Sequence, residues 1–399
     1  MSFIARFKIV KRRWLKIKIV IAPDSFKGSV SAFEAAMAIE LGVKKSIPGA
    51  ETLIVPLADG GEGTVDTLVA ATGGKKNAVT VTGPLGSPVE AFYGVLGDGK
   101  TCVIEIAETS GLDLVPEKER NPLVTTTYGT GELIKSALAE GYRSFILALG
   151  GSATNDGGAG MLQALGMKIL DEEKHEIGFG GGELSRVDKI SLRDFDSRIN
   201  ESNFVIASDV ENPLVGKNGA SFVFGPQKGA TPDIVRVLDK NLKHWANKIK
   251  EVTGVKLHNL PGAGAAGGIG GAFQAFFPSV IEKGADVVMD YTKLKEKLVG
   301  ADLLITGEGQ VDFQTAFGKT PMRAALAAKK LGVPTIIIAG SIGKGIESLY
   351  RYGVISIHSI VTKPMTLDKA MESAPELLEQ TAAQICRTFF YMKHPSSLL

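Results

Sequence analysis

Phe145-Ile146-Leu147-Ala148-Leu149-Gly150-Gly151-Ser152-Ala153-Thr154-Asn155-Asp156-Gly157-Gly158-Ala159-Gly160 is an apolar run that breaks into glycines interleaved with Ser, Thr, Asn and Asp. A helix-like pattern through Met161, Leu162 and Leu165 follows. Buried strand, glycine-rich turn and helix together form the repeating unit of a parallel sheet. Glycines let such a turn approach a ligand closely and adopt positive φ. Free N–H groups at the helix start, beside small hydroxyls, suit a polyanion such as phosphate. Asp156 adds negative charge to that turn. A phosphate beside a carboxylate implies a metal ion or a proton to be moved, which points towards phosphoryl transfer.

The same unit recurs on both sides of this stretch. Ile17–Ala22 leads into Pro23-Asp24-Ser25-Phe26-Lys27-Gly28, then a helix whose Ser31 and Glu34 have capping-box spacing. Leu53–Leu57 leads into Ala58-Asp59-Gly60-Gly61-Glu62-Gly63 and a helix over Thr64–Ala71. Between 79 and 106 the pattern becomes one of alternation and tight turns, as in antiparallel hairpins. The helix Gly131–Glu140, a glycine-rich stretch at Gly178–Gly182, the strand Phe204–Ala207 and a hairpin-like Ala220–Phe224 continue this block. From Gly284 the parallel pattern returns: strands Asp302–Thr306, Thr335–Ala339 and Val354–Ile360, a helix Met322–Leu331 and a final helix Leu367–Phe389. The expected architecture is therefore α/β: a doubly wound parallel-sheet domain from 16–80 and 281–399, with a mixed α/β domain, 81–280, inserted. Ligands of such sheets bind beyond the strand C-termini, where Asp24, Asp59, Asp209 and Glu308 fall.

Composition narrows the function. The chain has 399 residues, long for one core and suited to two domains. Hydrophobic residues make up 44% and charged residues 22%, ordinary globular values that exclude extensive disorder. The net charge of +2 misleads, because residues 1–14 hold Arg6, Lys8, Lys11, Arg12 and Arg13 and no acid. The remainder is mildly acidic and offers no footprint for nucleic acid. That basic head reads as an appendage, residues 1–15, rather than a membrane-surface helix, and Leu15 marks where an alternative start would open the folded chain. The N-terminal mass of natively expressed protein tests this. Cys102 and Cys386 have no disulfide or metal spacing, and no segment reads as a membrane span, so a cytoplasmic setting is expected.

The strand-end motifs carry the chemistry. In Asp24-Ser25-Phe26-Lys27-Gly28, Lys27 suits a phosphate or carboxylate clamp and Asp24 a base or metal ligand, though a plain helix approach would use similar residues. Asp59 and Glu62 crowd two acids into one tight turn, which favours a cation or a substrate hydroxyl between them. Ser208-Asp209-Val210-Glu211-Asn212-Pro213 offers Asp209 as a reactive group or as a turn cap. Gly225-Pro226-Gln227-Lys228-Gly229 is a turn with one cation. Pro261–Gly271 is a second glycine-rich loop, fitted either to nucleotide phosphates or to a domain hinge. Gly318-Lys319-Thr320 imitates the end of a P-loop, but Phe313 stands where the first glycine belongs. No dinucleotide fingerprint follows the first strand. The five histidines lack ligand spacing, and no Ser-His-Asp constellation is evident.

Taken in order, the motifs at Ala22–Gly28, Ala58–Thr64, Gly150–Gly158, Ser208–Leu214 and Gly225–Gly229, with Gly307-Glu308-Gly309, Asp312 and Gly318-Lys319, closely resemble those of bacterial glycerate kinases. These share no motif with P-loop or actin-like kinases, and the likeness spans residues 16–390. The resemblance implies ATP-dependent phosphorylation of D-glycerate with Mg²⁺, giving the 2-phosphate or else the 3-phosphate, in a flavodoxin-like domain carrying an inserted second domain. Within it, Asp209 or Asp312 is the expected base and Lys27 a catalytic cation. Asp24, Ser25, Gly151, Ser152, Thr154, Asn155, Gln227, Lys228, Gly264, Gly267, Glu308 and Lys319 are expected to bind nucleotide or glycerate. Asp59 and Asp156 are expected near the metal. Two rivals are a dinucleotide oxidoreductase, disfavoured by the missing fingerprint, and a sensor closing on a sugar acid, disfavoured by carboxylates that would repel it.

Overall fold

The computed structural model describes residues 17–391, so the readings of the basic head and of a start at Leu15 lie outside the described residues. In chain order the strands are β1 (Lys18–Ile21), β2 (Glu51–Ile54), β3 (Lys75–Thr82), β4 (Pro88–Val95), β5 (Thr101–Glu105), β6 (Ser144–Ala148) and β7 (Lys168–Leu170). Then come β8 (Lys189–Ser191), β9 (Asn203–Ala207), β10 (Ser279–Glu282), β11 (Leu303–Val311), β12 (Thr335–Ile342) and β13 (Val354–Ser359). One sheet runs β13-β12-β11-β1-β2 and is parallel throughout. A second runs β10-β9-β6-β5-β4-β3, parallel from β10 to β5 and antiparallel at β4 and β3. The protein is thus α/β with a five-stranded parallel sheet and a separate mixed sheet. Among the described residues no helix is long and apolar enough to cross a membrane.

The central strands are apolar because both of their faces are covered. Ile19, Val20 and Ile21 of β1 and Leu303, Leu304 and Ile305 of β11 are fully buried. On one face lies the helix Ala32–Ser46, opened by the Ser31/Glu34 capping box and packed against the helix Ala374–Phe390. At Gly42 any Cβ would strike the Glu379 carbonyl, so a glycine sets how closely these helices approach.

A single buried apolar cluster joins the two sheets. Val20 and Leu304 come from the first sheet and Val103, Ile146 and Ala207 from the second. Leu68 of the helix Thr64–Thr72 and Val287 and Val288 of the helix Gly284–Tyr291 fill the space between. An apolar seam of this kind resists free hinging of one sheet against the other.

Three local readings are corrected. Ala220–Phe224 is a helix rather than a hairpin strand, because Ala220 and Ser221 are buried where it packs on the helix Pro232–Thr253; packing overrides β propensity. The last helix divides into Leu367–Glu372 and Ala374–Phe390, since Pro375 lacks the N–H that a continuous helix would use. Gly307-Glu308-Gly309 is not a loop but lies within β11, paired to β12 with Gly307 opposite Ile338. A Cβ at Gly307 would strike the Ile338 carbonyl.

Candidate active site

The strand ends of the two sheets meet. The turn after β2, Asp59–Gly63, lies against the ends of β6 and β9: the Gly150 N–H donates to the Gly60 carbonyl at 3.3 Å, and Gly60 backs onto the Ala207 carbonyl. Gly284 closes the third side, where any side chain would collide with the Asp59 carbonyl and the Gly60 nitrogen. Gly284→Ala is therefore expected to displace this turn and destabilise the protein by about 1–3 kcal/mol, with a fall in activity measured alongside thermal unfolding.

Several cavities border this junction, and two of them share Lys27 and Asp59. The larger, about 700 Å³, is lined by Asp24, Ser25, Lys27, Asp59, Glu308 and Lys319, and by apolar residues of the segment after β13. The smaller, about 240 Å³, lies between the sheets and is lined by Gly61, Gly150, Gly151, Ser208, Asp209 and Ala266. Lys27 and Asp59 line both. Their side chains stand 3.9 Å apart, Nζ to Oδ2, while Asp59 Oδ1 accepts from the Gly61 N–H at 2.9 Å.

The carboxylates here are electrostatically crowded. Burial, with help from neighbouring Asp59 and Glu308, pushes Asp24 up to about 7, against the opposing pull of the Thr320 hydroxyl and the Ser25 N–H. Burial raises Glu308 as well, opposed by Lys319 at 3.6 Å and by the Thr315 hydroxyl, which donates at 2.7 Å. Asp209 is raised by burial and held back by Arg323.

The sign for Asp24 is clear. Its folded-state pKa lies above the unfolded value of 3.8, so folding penalises the charged form. That penalty is absent below pH 3.8 and complete above about pH 7. Asp24→Asn is expected to raise Tm at pH 8 by roughly 2–4 °C, with little change near pH 4 in parallel calorimetric scans.

Several expected site residues lie elsewhere. Asp156 is enclosed: Oδ2 accepts from the Thr127 N–H and hydroxyl at 2.9 and 2.8 Å and from the Gly160 N–H at 3.3 Å, and Oδ1 from the Gly158 N–H at 3.1 Å. With four donors already bound and 1% exposure it braces the glycine-rich turn from inside and lines neither cavity. Lys228 lies beneath the same turn, donating to Ser152 Oγ at 2.8 Å and the Thr154 carbonyl at 2.7 Å, and burial pushes it down to about 7. Ser152, Thr154 and Asn155 are buried with it. Asn155 Nδ2 donates to Ser221 Oγ at 2.9 Å. Gln227 is exposed and lines neither cavity. Gly264 and Gly267 serve backbone packing, against the carbonyls of Pro213 and Thr154. Asp312 caps its own turn, accepting from the Gln314 N–H at 2.8 Å and Gln310 Nε2 at 3.2 Å.

Two contributors escape sequence reasoning. Glu105, at the end of β5, accepts from the N–H groups of Gly63 and Val65 at 3.2 and 2.5 Å. It caps the helix Thr64–Thr72, whose own N-cap, Gly63, has no side chain for the task. Its sequence signal is a lone acid in the apolar run Cys102–Ile106. Arg323 donates to Asp286 at 2.6 Å and to the Gly318 carbonyl at 2.8 Å, placing a fixed cation near Asp209.

The fold is that of an α/β protein with joined cavities where its two sheets meet. Residues 19–390 match the model of the glycerate kinase family. The chain belongs to that family. It is 51% identical over 367 residues to the glycerate kinase of Halalkalibacterium halodurans, covering 92% of this chain and 97% of the relative. It is 48% identical over 372 residues to the glycerate 2-kinase of Escherichia coli, covering 93% and 98%. A crystal structure of a candidate glycerate kinase 2 from Salmonella typhimurium superposes with a TM-score of 0.86 at 46% identity, covering 95% of this chain and 100% of that one.

Proposed function

We propose that the protein transfers the γ-phosphoryl group of ATP to the O2 hydroxyl of D-glycerate, with ATP in the larger compartment and glycerate in the smaller. The observation that carries this is that Lys27 and Asp59 line both cavities, so a donor and an acceptor held in them would meet beside these residues. The volumes support the assignment: about 700 Å³ suits a nucleotide, and about 240 Å³ suits a three-carbon acid.

In this reading Asp209 takes the proton from the glycerate hydroxyl as its oxygen attacks the γ-phosphorus. The bond to the β–γ bridging oxygen breaks, and ADP leaves with that electron pair. Lys27 neutralises charge spreading over the transferred group, while Lys319 sits further along the phosphates. The backbone N–H of Gly151, which lines the smaller cavity, would receive the glycerate carboxylate, while that of Gly150 is held by the Gly60 carbonyl.

Asp24, Asp59 and Glu308 supply the hard oxygen donors that Mg²⁺ takes, and their mutual repulsion is what a cation would relieve. Among the described residues no three acids converge into a protein-only cage. The fit is therefore to an ion held by one or two carboxylates and completed by phosphate oxygens. When bound, Mg²⁺ would neutralise the β- and γ-phosphates.

We further read 16–80 and 281–399 as a flavodoxin-like domain with 81–280 inserted; strand membership supports junctions near Gly74 and Lys283. Two buried free cysteines fit a reducing cytoplasm.

Incubation with ATP, Mg²⁺ and D-glycerate tests the function. ADP should form in step with a phosphorylated acid, phosphorus NMR should place the phosphate on O2, and EDTA should abolish turnover. Absence of glycerate-dependent ADP would overturn the reading, and a product signal from O3 would overturn the site of transfer.

A further inference from the structure

We infer that the apolar wall of the larger cavity holds the nucleobase of the phosphoryl donor, and that the segment from Ile360 to Ala374 is the strap that sets nucleotide affinity. This rests on the phosphotransferase reading above.

The cavity is chemically divided. Asp24, Lys27, Asp59, Glu308 and Lys319 supply its charged lining, while Phe26 and, from the segment after β13, Ile360, Met365, Ala370, Met371 and Ala374 supply an apolar wall. Of the reaction's two substrates only a nucleoside triphosphate has the same division, a flat and largely apolar base joined to a polyanionic tail. Glycerate carries polar groups on all three carbons and gains nothing from an apolar wall. The division also sets direction, because the tail must end beside Lys27, where the smaller compartment opens.

The strap is anchored at both ends and in the middle. Ser359 Oγ donates to the Gly340 carbonyl at 3.1 Å, and the Thr366 hydroxyl caps the helix Leu367–Glu372 by accepting from the Lys369 N–H. Ser29 Oγ donates to the Met371 carbonyl at 2.5 Å, tying the strap to the turn that carries Lys27. Beneath it Gly28 has φ +73°, and a Cβ there would come within 2.9 Å of Met371 Cε, so the glycine leaves room for that methionine. Methionine side chains adapt readily to a planar ligand. The half-buried Ala370 faces the same space and is the position at which added bulk would fill it.

Ala370→Trp tests the inference together with photolabelling of the unaltered protein by 8-azido-ATP. The variant should raise KM for ATP at least tenfold and leave KM for glycerate within twofold. Label mapped by peptide mass spectrometry should fall within 360–374. Label confined to 150–158 or 261–271 would overturn the assignment, as would a KM for ATP unchanged in Ala370→Trp, or a rise confined to KM for glycerate. Should the variant fail to fold, the labelling decides alone. Loss of the functional reading looks different: the unaltered protein would label on the strap yet make no ADP with glycerate.

Discussion

Lys27→Met is expected to lower kcat/KM for ATP-dependent phosphorylation about 10³-fold. Lys27 is the one cation lining both compartments among the described residues, which in the proposed reading is where charge develops as the phosphoryl group moves. Its side chain is 67% exposed and its pairing with Asp59 is long, so its removal should cost the fold almost nothing. The expected signature is a large kinetic loss with an unchanged Tm. Lys27→Arg should recover part of the rate, because charge is kept while the compact ammonium is replaced by a planar fork. Steady-state ADP release against ATP and against glycerate measures both. A Lys27→Met enzyme within threefold of the parent would remove Lys27 from the mechanism.

Asp209→Asn should reduce kcat by about 10²–10⁴, with KM for ATP nearly constant. Asp209 lines the smaller compartment, which the proposal gives to glycerate, and burial raises its carboxyl while Arg323 opposes the rise. Asp312→Asn should stay close to the parent, since its carboxylate is engaged in capping its own turn. This contrast separates two aspartates that sequence reasoning left as equals. If Asp209→Asn turns over at the parent rate, the base lies elsewhere, and Asp24 is next, being buried and poised near neutrality.

The helix Ala32–Ser46 shows how far local chemistry carries. Its capping box, its apolar face and its position after a buried strand are written in residues 17–46, and the structure contains all three. The same holds for β6 and its glycine-rich turn. Where a side chain points is a different matter from its type. Asp156, Lys228 and Asn155 carry the groups a phosphate site would use, yet they turn inward and brace the turn against Thr127, Ser152 and Ser221. A charged residue in a glycine-rich loop reads alike whether it binds a ligand or holds the loop. Only its neighbours distinguish the two, and those come from positions 29 to 76 residues away. Glu105 makes the converse point, an acid in a strand that caps a helix 40 residues earlier.

By itself the sequence determined the α/β class, the parallel and antiparallel blocks, the family and the strand-end loops that carry the chemistry, because hydrophobic period and turn composition are local properties. Only the tertiary structure decided which side chains face the cleft. It set Asp24, Lys27, Asp59, Asp209 and Glu308 around two joined compartments and withdrew Asp156 and Lys228 into the interior. The reason is that desolvation and pairing depend on what the rest of the chain brings alongside, through backbone contacts such as Gly60 on Ala207 and Gly284 on Asp59.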